Sequence, residues 1–325
     1  MADMNLPKVI VLVGPTASGK TAWGLRLAKE FHGEIISADS RQIYTKMDIG
    51  TAKQPGEWRW DGKRKTYVVE GVPHALIDFL DPGKQFTVAE FREAAIAAIN
   101  GMVERGKVPF VIGGTGLYIQ ALVDNYQIPR VAPNRKLRKS LEGKNLKELV
   151  VLLSSIDPET VKYIDTNNVR RVIRALEVCI LTGKSFLEQQ KKGEPMYQFL
   201  ELGIRIPREH LYERIEQRVE AMLSQGLVEE VEFLLRQKYS WGLPSMSGIG
   251  YRQFQEYSEG KISLEKAVER LKRDTRHFAR RQMTWFRRDA KIEWCEAYEE
   301  AQRLVESFLS ESEHSKKFEA QNSKS

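Results

Sequence analysis

Over its first 125 residues the chain alternates short apolar runs with stretches of helical periodicity. Lys8–Val13 is an apolar run followed by glycine, and Thr21–Phe31 is amphipathic at helical spacing. Glu34–Ala38 reads as a second strand. Thr87-Val-Ala-Glu90 has the form of a capping box and opens a helix running to Arg105. Val108–Ile112 is a buried strand that ends in Gly113-Gly114. This rhythm predicts a parallel sheet with crossover helices.

From Tyr126 to Lys192 the pattern changes and no strand is evident. Arg130–Lys144 is basic, and Asn145–Leu153 is helical. Asp157-Pro158 starts a helix with an N-cap and an N1 proline, and Asn168–Leu181 is a third helix stopped by Gly183. Phe199–Ile206 then reads as a strand returning to the sheet. The helices predicted beyond it are Pro207–Gln225, Leu227–Lys238, Ile249–Ser258 and Ser263–Arg288. The expected organisation is an α/β core of residues 1–125 and 193–309 with C-terminal helices, a helical insertion over 126–192, and a disordered polar end over 310–325.

Composition narrows the class. With 42% hydrophobic and 29% charged residues, 325 residues suffice for a buried core, which excludes wholesale disorder. No apolar run is long enough to span a membrane, and the acid-bearing N-terminus does not read as a signal peptide. The expectation is a cytoplasmic protein that does not engage a membrane. Cys179 and Cys295 are the only cysteines, too few for a disulfide framework or a cysteine zinc site.

The charge of 51 − 44 = +7 is unevenly placed. Lys266–Lys291 holds ten basic and three acidic residues, and Arg130–Lys147 has seven basic residues against Glu142. Such clustering suggests a polyanion such as nucleic acid, although a solvated basic surface gives the same count. On a helical projection of Ser263–Arg288, Leu264, Val268, Leu271, Thr275, Phe278, Gln282 and Trp285 share one face. Arg270, Arg273, Arg276, Arg280, Arg281, Arg287 and Arg288 fall opposite. Gln282 is the polar exception on the apolar stripe. Trp285 and Phe286 read as core residues rather than stacking platforms.

Gly14-Pro15-Thr16-Ala17-Ser18-Gly19-Lys20-Thr21 fits G-x-x-x-x-G-K-[ST] between a strand and a helix. Glycines let such a loop wrap a diphosphate, backbone N–H groups point at it, Lys20 adds a charge, and the Thr21 hydroxyl can complete a Mg²⁺ shell. The fold expectation is therefore a P-loop NTPase-like core. Asp39, just past the second strand, lies where open α/β sheets bind ligands. It could be a general base, reach Mg²⁺ through water, or simply close an Asx-turn. Arg214 and Arg218, four apart on one helix, share a face that could reach phosphate.

Taken in order, several segments resemble the tRNA dimethylallyltransferase family. They are Gly14–Thr21, Asp39-Ser-Arg-Gln-Ile-Tyr44, Met47–Lys53, Gly113–Tyr118, Arg171–Val178, Gly248–Gln253 and Arg280–Arg287. The resemblance spans roughly residues 8–290. It implies transfer of a dimethylallyl group from its diphosphate to N6 of adenosine 37, in tRNAs reading codons that begin with U, with Mg²⁺. By the same resemblance Asp39 takes the N6 proton, with Thr16, Thr115 and Arg214 near the reacting groups. The tRNA anticodon stem-loop would meet Asp39, Ser40, Arg41, Gln42 and Thr115 in the core, and Arg138, Arg170, Arg171 and Arg174 in the insertion. Ser247, Gly248, Ile249, Gly250, Tyr251, Arg252, Arg280, Arg281, Gln282, Trp285 and Arg287 complete that expected surface. The expected form is a monomer. Where the family often has two adjacent histidines before Leu-Ile-Asp, this chain has His74-Ala75.

Three other readings share some of these features. A P-loop nucleoside or nucleotide kinase would use the phosphate loop and Asp39 but leaves the basic segments unexplained. An isopentenyltransferase for free adenine nucleotides has the same difficulty. An ATP-driven RNA-binding module would not need Asp39 for turnover.

Overall fold

The computed structural model describes residues 6–60, 62, 64–126, 131, 134–188 and 192–322, all but 135 and 311–322 with their side chains. The chain divides into two compact units, Met1–Leu122 with Met196–Ser325, and Val123–Pro195.

The first unit is built on eight strands: β1 Lys8–Val13, β2 Gly33–Ser37, β3 Glu57–Trp60, β4 Lys65–Val69, β5 Val72–Ala75, β6 Val108–Gly113, β7 Gln198–Ile204 and β8 Glu293–Cys295. They form one sheet in the order β3-β4-β5-β2-β6-β1-β7-β8. From β5 to β8 every neighbour is parallel, and only β3 and β4 run antiparallel to their partners. Val9–Val13 are fully buried, as a strand flanked on both edges and both faces must be. Ile10 stands in register with Phe110 on one side and Leu200 on the other.

The helices of this unit begin with α1 Lys20–Glu30, α2 Val88–Glu104 and α3 Gly116–Val123. Both hydrogen bonds of the Thr87–Glu90 capping box form at the start of α2. The helical unit holds α4 Arg135–Glu142, α5 Leu146–Ile156, α6 Pro158–Tyr163 and α7 Val169–Thr182 around Leu149, Leu153, Val172 and Leu176. Gly183 closes α7 in the left-handed region at φ 67°. The first unit continues with α8 Arg208–Ser224, α9 Leu227–Arg236, α10 Gln255–Ser258, α11 Leu264–Phe286 and α12 Tyr298–Asn322. One core lies on the sheet around Leu12, Leu27, Phe110 and Leu202. Another gathers Met47, Val231, Tyr251, Phe254 and Leu271.

Three departures from the sequence reading have physical causes. The antiparallel extension β3–β4–β5 was not expected, because Glu57–Trp60 is exposed throughout and shows no buried alternation. The helix predicted over Ile249–Ser258 is instead turns, a 3₁₀ segment at Arg252–Phe254 and the single turn of α10. Gly250 takes φ 105°, which a helix cannot contain. The buried stripe of α11 is Ala267, Leu271, Thr275, Ala279, Gln282 and Phe286, rotated from the projected one. The end expected to be disordered over 310–325 instead continues α12 as helix to Asn322, and 323–325 lie outside the described residues.

Candidate active site

Three loops meet beyond the carboxyl ends of β1, β2 and β6, where the sheet opens a crevice. The first, Gly14–Gly19, joins β1 to α1. Ala17 at φ 64° and Gly19 at φ 93° curl it, and Gly19 caps α1 without offering a side chain. The N–H groups of the first turn are therefore left for an anion. The Ser18 hydroxyl is buried and has no hydrogen-bond partner among the described residues. Such a group inside a satisfied protein marks a place where a ligand atom belongs.

Cations surround this loop. Lys20 Nζ donates to the Pro15 carbonyl at 3.0 Å. Burial lowers its pKa to about 8, with the Asp39 charge opposing the fall and Arg218 adding to it. Arg214 reaches the Ser18 carbonyl at 3.5 Å, and Arg218 reaches Thr16 Oγ1 at 3.3 Å. Burial also depresses Arg218, with Asp39 opposing. A guanidinium does not give up its proton in a protein, so this burial is a cost that an anion on the loop would offset. Arg218, rather than Arg214, lines the cavity.

The second and third loops are stitched together by backbone. Ala38 N donates to Ile112 O at 2.8 Å, and Thr115 N donates to Ala38 O at 3.2 Å. Ser40 N donates to Thr115 Oγ1 at 3.0 Å. A Cβ on Gly113 would lie 2.1 Å from the Ala38 carbonyl oxygen, so only glycine permits this approach. The result fixes Asp39. Its Oδ1 accepts the Arg41 N–H at 2.8 Å, which is the Asx-turn, while Oδ2 has no partner among the described residues. The Asx-turn thus uses one oxygen of Asp39 and leaves the other without a partner among the described residues.

Asp39 opens into a cavity of about 390 Å³. Thr16 and Arg218 mark its phosphate-loop end, and Val219, Met222, Leu271, Phe278 and Trp285 give it an apolar wall. Gln282 settles its own anomaly. Its Oε1 accepts the Thr16 N–H at 2.8 Å, and its Nε2 donates to the Gly114 carbonyl at 2.8 Å. It bridges the phosphate loop to the loop after β6. Trp285, read as core, lines the cavity instead, against Gly116, where a Cβ would come within 2.4 Å of the indole. Phe286 is core as expected.

Ser40, Arg41, Thr115, Ser247, Ile249, Gly250, Arg252 and Arg281 also line the cavity. Arg41 donates to the Pro244 carbonyl, and Gln42 Nε2 donates to the carbonyls of Thr51 and Ala52 at 3.3 and 3.2 Å. Tyr251 is buried with its hydroxyl on Glu230, and Gly248 packs against Arg41. The Thr21 hydroxyl has no hydrogen-bond partner among the described residues. Among those residues no cluster of three His, Cys, Asp or Glu side chains is placed to hold a metal. His74 is buried in β5 with Nδ1 on the Val72 carbonyl, its pKa lowered by burial, and does not line the cavity.

The basic face of α11 is not uniformly available. Arg270 pairs with Glu256, Lys272 with Glu220, Arg273 with Asp274 and Arg276 with Glu216. Arg280, Arg281, Arg287 and Arg288 are exposed and form no ion pair with any described residue. Among the arginines of this face, the unpaired ones thus lie at its C-terminal end. Within the helical unit, Arg138 and Arg174 both bind the fully buried Glu177, at 2.7 and 2.6 Å, whereas Arg170 and Arg171 are exposed and unpaired among the described residues.

A P-loop NTPase-like core thus carries a cavity with cations and a half-open carboxylate at one end and an apolar wall at the other. The chain belongs to the IPP transferase family, whose model matches residues 42–289. It is 48% identical over 284 residues to a tRNA dimethylallyltransferase of Roseiflexus sp. (strain RS-1), covering 86% of this chain and 90% of that protein. It is 42% identical over 312 residues to that of Carboxydothermus hydrogenoformans, covering 94% and 97%. Among solved structures it is similar to the tRNA isopentenylpyrophosphate transferase of Bacillus halodurans, with TM-score 0.68 and 36% identity over 96% of this chain and 99% of that one. It is also similar to a eukaryotic dimethylallyltransferase acting on tRNA, with TM-score 0.70 and 30% identity over 86% and 69%. The phosphate loop and Asp39 precede the stretch matched by the family model.

Proposed function

We propose that this protein transfers the dimethylallyl group of dimethylallyl diphosphate to N6 of adenosine 37 in tRNAs reading codons that begin with U, releasing diphosphate. The observation that carries this reading is the single cavity in which Asp39, Thr16 and Arg218 stand across from an apolar wall. The diphosphate lies on the first turn of α1 with Lys20, Arg218 and the Ser18 hydroxyl, and the allyl group lies on the apolar wall. As the allylic C–O bond breaks, negative charge grows on the leaving diphosphate, and these fixed donors stabilise it. N6 attacks the allyl carbon, the C–N bond forms, and the N6 proton passes to Asp39 Oδ2. A carboxylate within reach of N6 is a competent acceptor for that proton. Thr16 and Thr115 hold the loops on either side of Asp39.

The donor set suits Mg²⁺ held chiefly by substrate oxygens: a free Thr21 hydroxyl beside the phosphate loop, with no carboxylate cluster among the described residues. Bound there, Mg²⁺ would neutralise charge on the departing diphosphate.

The adenine must leave the stack of the anticodon loop to enter the cavity. The anticodon stem-loop engages the bare arginines at the end of α11 and, in the helical unit, Arg170 and Arg171. The protein acts in the cytoplasm, where its tRNA substrates are, and as a monomer. Among the described residues no helix is long and apolar enough to cross a membrane. The deciding assay is incubation of labelled dimethylallyl diphosphate with undermodified tRNA and with free AMP. Label in tRNA alone is expected. Label in AMP alone, or in neither, overturns the reading.

A further inference from the structure

Glu230, on α9, does not line the cavity, yet both loops that form one of its walls converge on it. Its Oε2 accepts the N–H groups of Asp48 and Ile49 at 2.7 and 2.8 Å, and its Oε1 accepts that of Gly50 at 2.9 Å. The Tyr251 hydroxyl donates to Oε1 at 2.8 Å. Three successive backbone N–H groups wrapped on one carboxylate form an anion nest whose anion is part of the protein. Glycines bring the two loops into contact around it. A Cβ on Gly250 would lie 2.3 Å from the Gly50 carbonyl oxygen, and one on Gly50 would lie 2.5 Å from the Tyr251 ring. Gly50, Thr51 and Ala52 from one loop, and Ser247, Ile249, Gly250 and Arg252 from the other, face the cavity.

Other contacts hold the far side of the first loop. Lys53 is buried and donates to the Tyr44 carbonyl at 2.6 Å and to Asp78 at 2.7 Å. On the second loop, Gln253 accepts the Gly250 N–H at 3.1 Å and donates to Asp274 at 2.9 Å. Among the described residues only Glu230 joins the two loops through one group.

We propose that Glu230 is a positioning residue that sets the acceptor-base wall of the cavity by locking residues 48–50 to Tyr251. This rests on the prenyl-transfer reading above. The donor diphosphate has its own partners in the phosphate loop, none of which touches Glu230, so the wall Glu230 holds is left to the tRNA base. An error of about 1 Å in such a wall is enough to lower reactivity about 100-fold.

Glu230→Gln keeps the shape but turns an amide N–H toward backbone N–H groups. It should speed hydrogen exchange at Asp48, Ile49 and Gly50 while β1 stays protected. On the kinetic side, the KM for tRNA should rise about tenfold or more, with kcat lowered and the KM for dimethylallyl diphosphate within about twofold of the parent. Tyr251→Phe, which removes one of the four contacts, should shift tRNA kinetics in the same direction by less. A parent that fails to label tRNA would defeat the functional reading, whatever the exchange shows. An active parent with unchanged tRNA KM in Glu230→Gln, or with both KM values raised alike, would overturn the positioning role.

Discussion

Asp39 in the α/β unit and Asp157 in the helical unit both stand where a regular element ends, and both accept a local backbone N–H. Asp39 takes one such bond and leaves Oδ2 open to a cavity. Asp157 is buried and saturated: it accepts from Thr160 N, Thr160 Oγ1, Ser185 Oγ and Phe186 N. Glu177 is likewise filled, by Arg138, Arg174 and the Asn134 N–H. The difference teaches how to sort carboxylates in this molecule. A carboxylate whose lone pairs are all used holds structure; one left half-open beside cations is the one to which the proposed transfer assigns chemistry.

The strongest attempt to break this contrast is Asp39→Asn. The amide preserves the Asx-turn through its oxygen but cannot take a proton. We expect kcat on tRNA to fall about 10²–10⁴-fold with little change in either KM. Asp39→Ala should be at least as damaging. Steady-state kinetics on tRNA check this, and near-parental kcat for Asp39→Asn would reduce Asp39 to a turn residue like Asp157. Next in size is Lys20→Ala, which removes one charged contact from the phosphate loop. Weaker binding of dimethylallyl diphosphate by calorimetry and a loss of several tens-fold in turnover are expected, for roughly 2–4 kcal/mol.

The saturated side of the comparison predicts stability instead. Burial alone would raise the Asp157 pKa, but the bonds from Thr160, Phe186 and Ser185 outweigh it and hold the group at about 2. The value lies below that of an unfolded carboxyl. Its stabilisation is therefore complete above about pH 4 and is lost as pH falls towards 2, an effect of about 2 kcal/mol. Asp157→Asn should cost a similar amount at neutral pH, because its N–H groups face donors. Native-state hydrogen exchange in α7 reads the loss. Exchange unchanged by the substitution would show that saturation is not what holds this unit.

Much of the site was legible because its chemistry is local. Gly14–Thr21 between strand and helix, Asp39 after β2 and Gly113-Gly114 after β6 each declare a loop by composition. So do the Thr87–Glu90 box and Gly183 at helix ends. What was hidden depends on partners distant in sequence. Glu230 sits in Leu227–Arg236 as one of two adjacent acids, and nothing in that spacing reveals three N–H groups arriving from residues 48–50. Gln282 looked like an error on an apolar stripe until Thr16 and Gly114 supplied its partners. The edge hairpin of β3 and β4 lacked the alternation that marks a half-buried strand.

The same limit governs the arginines, where the smallest effect is expected. Sequence assigned one basic face to α11, but its N-terminal half is neutralised by Glu216, Glu220, Glu256 and Asp274. An arginine already paired releases fewer counterions when RNA approaches. Arg280→Gln with Arg281→Gln should therefore lower the slope of log affinity against log salt by about 1–2. Arg270→Gln with Arg276→Gln should change it by less than about half of that, since each exposed pair contributes little in water. In the helical unit Arg171→Gln is the matching probe. Arg174→Gln would instead strip one partner from buried Glu177 and confound binding with stability. Filter binding across a salt series separates these outcomes. Equal slopes for the two α11 doubles would mean that the ion pairs open when tRNA binds, and that counting bare charge in the free protein does not locate the footprint.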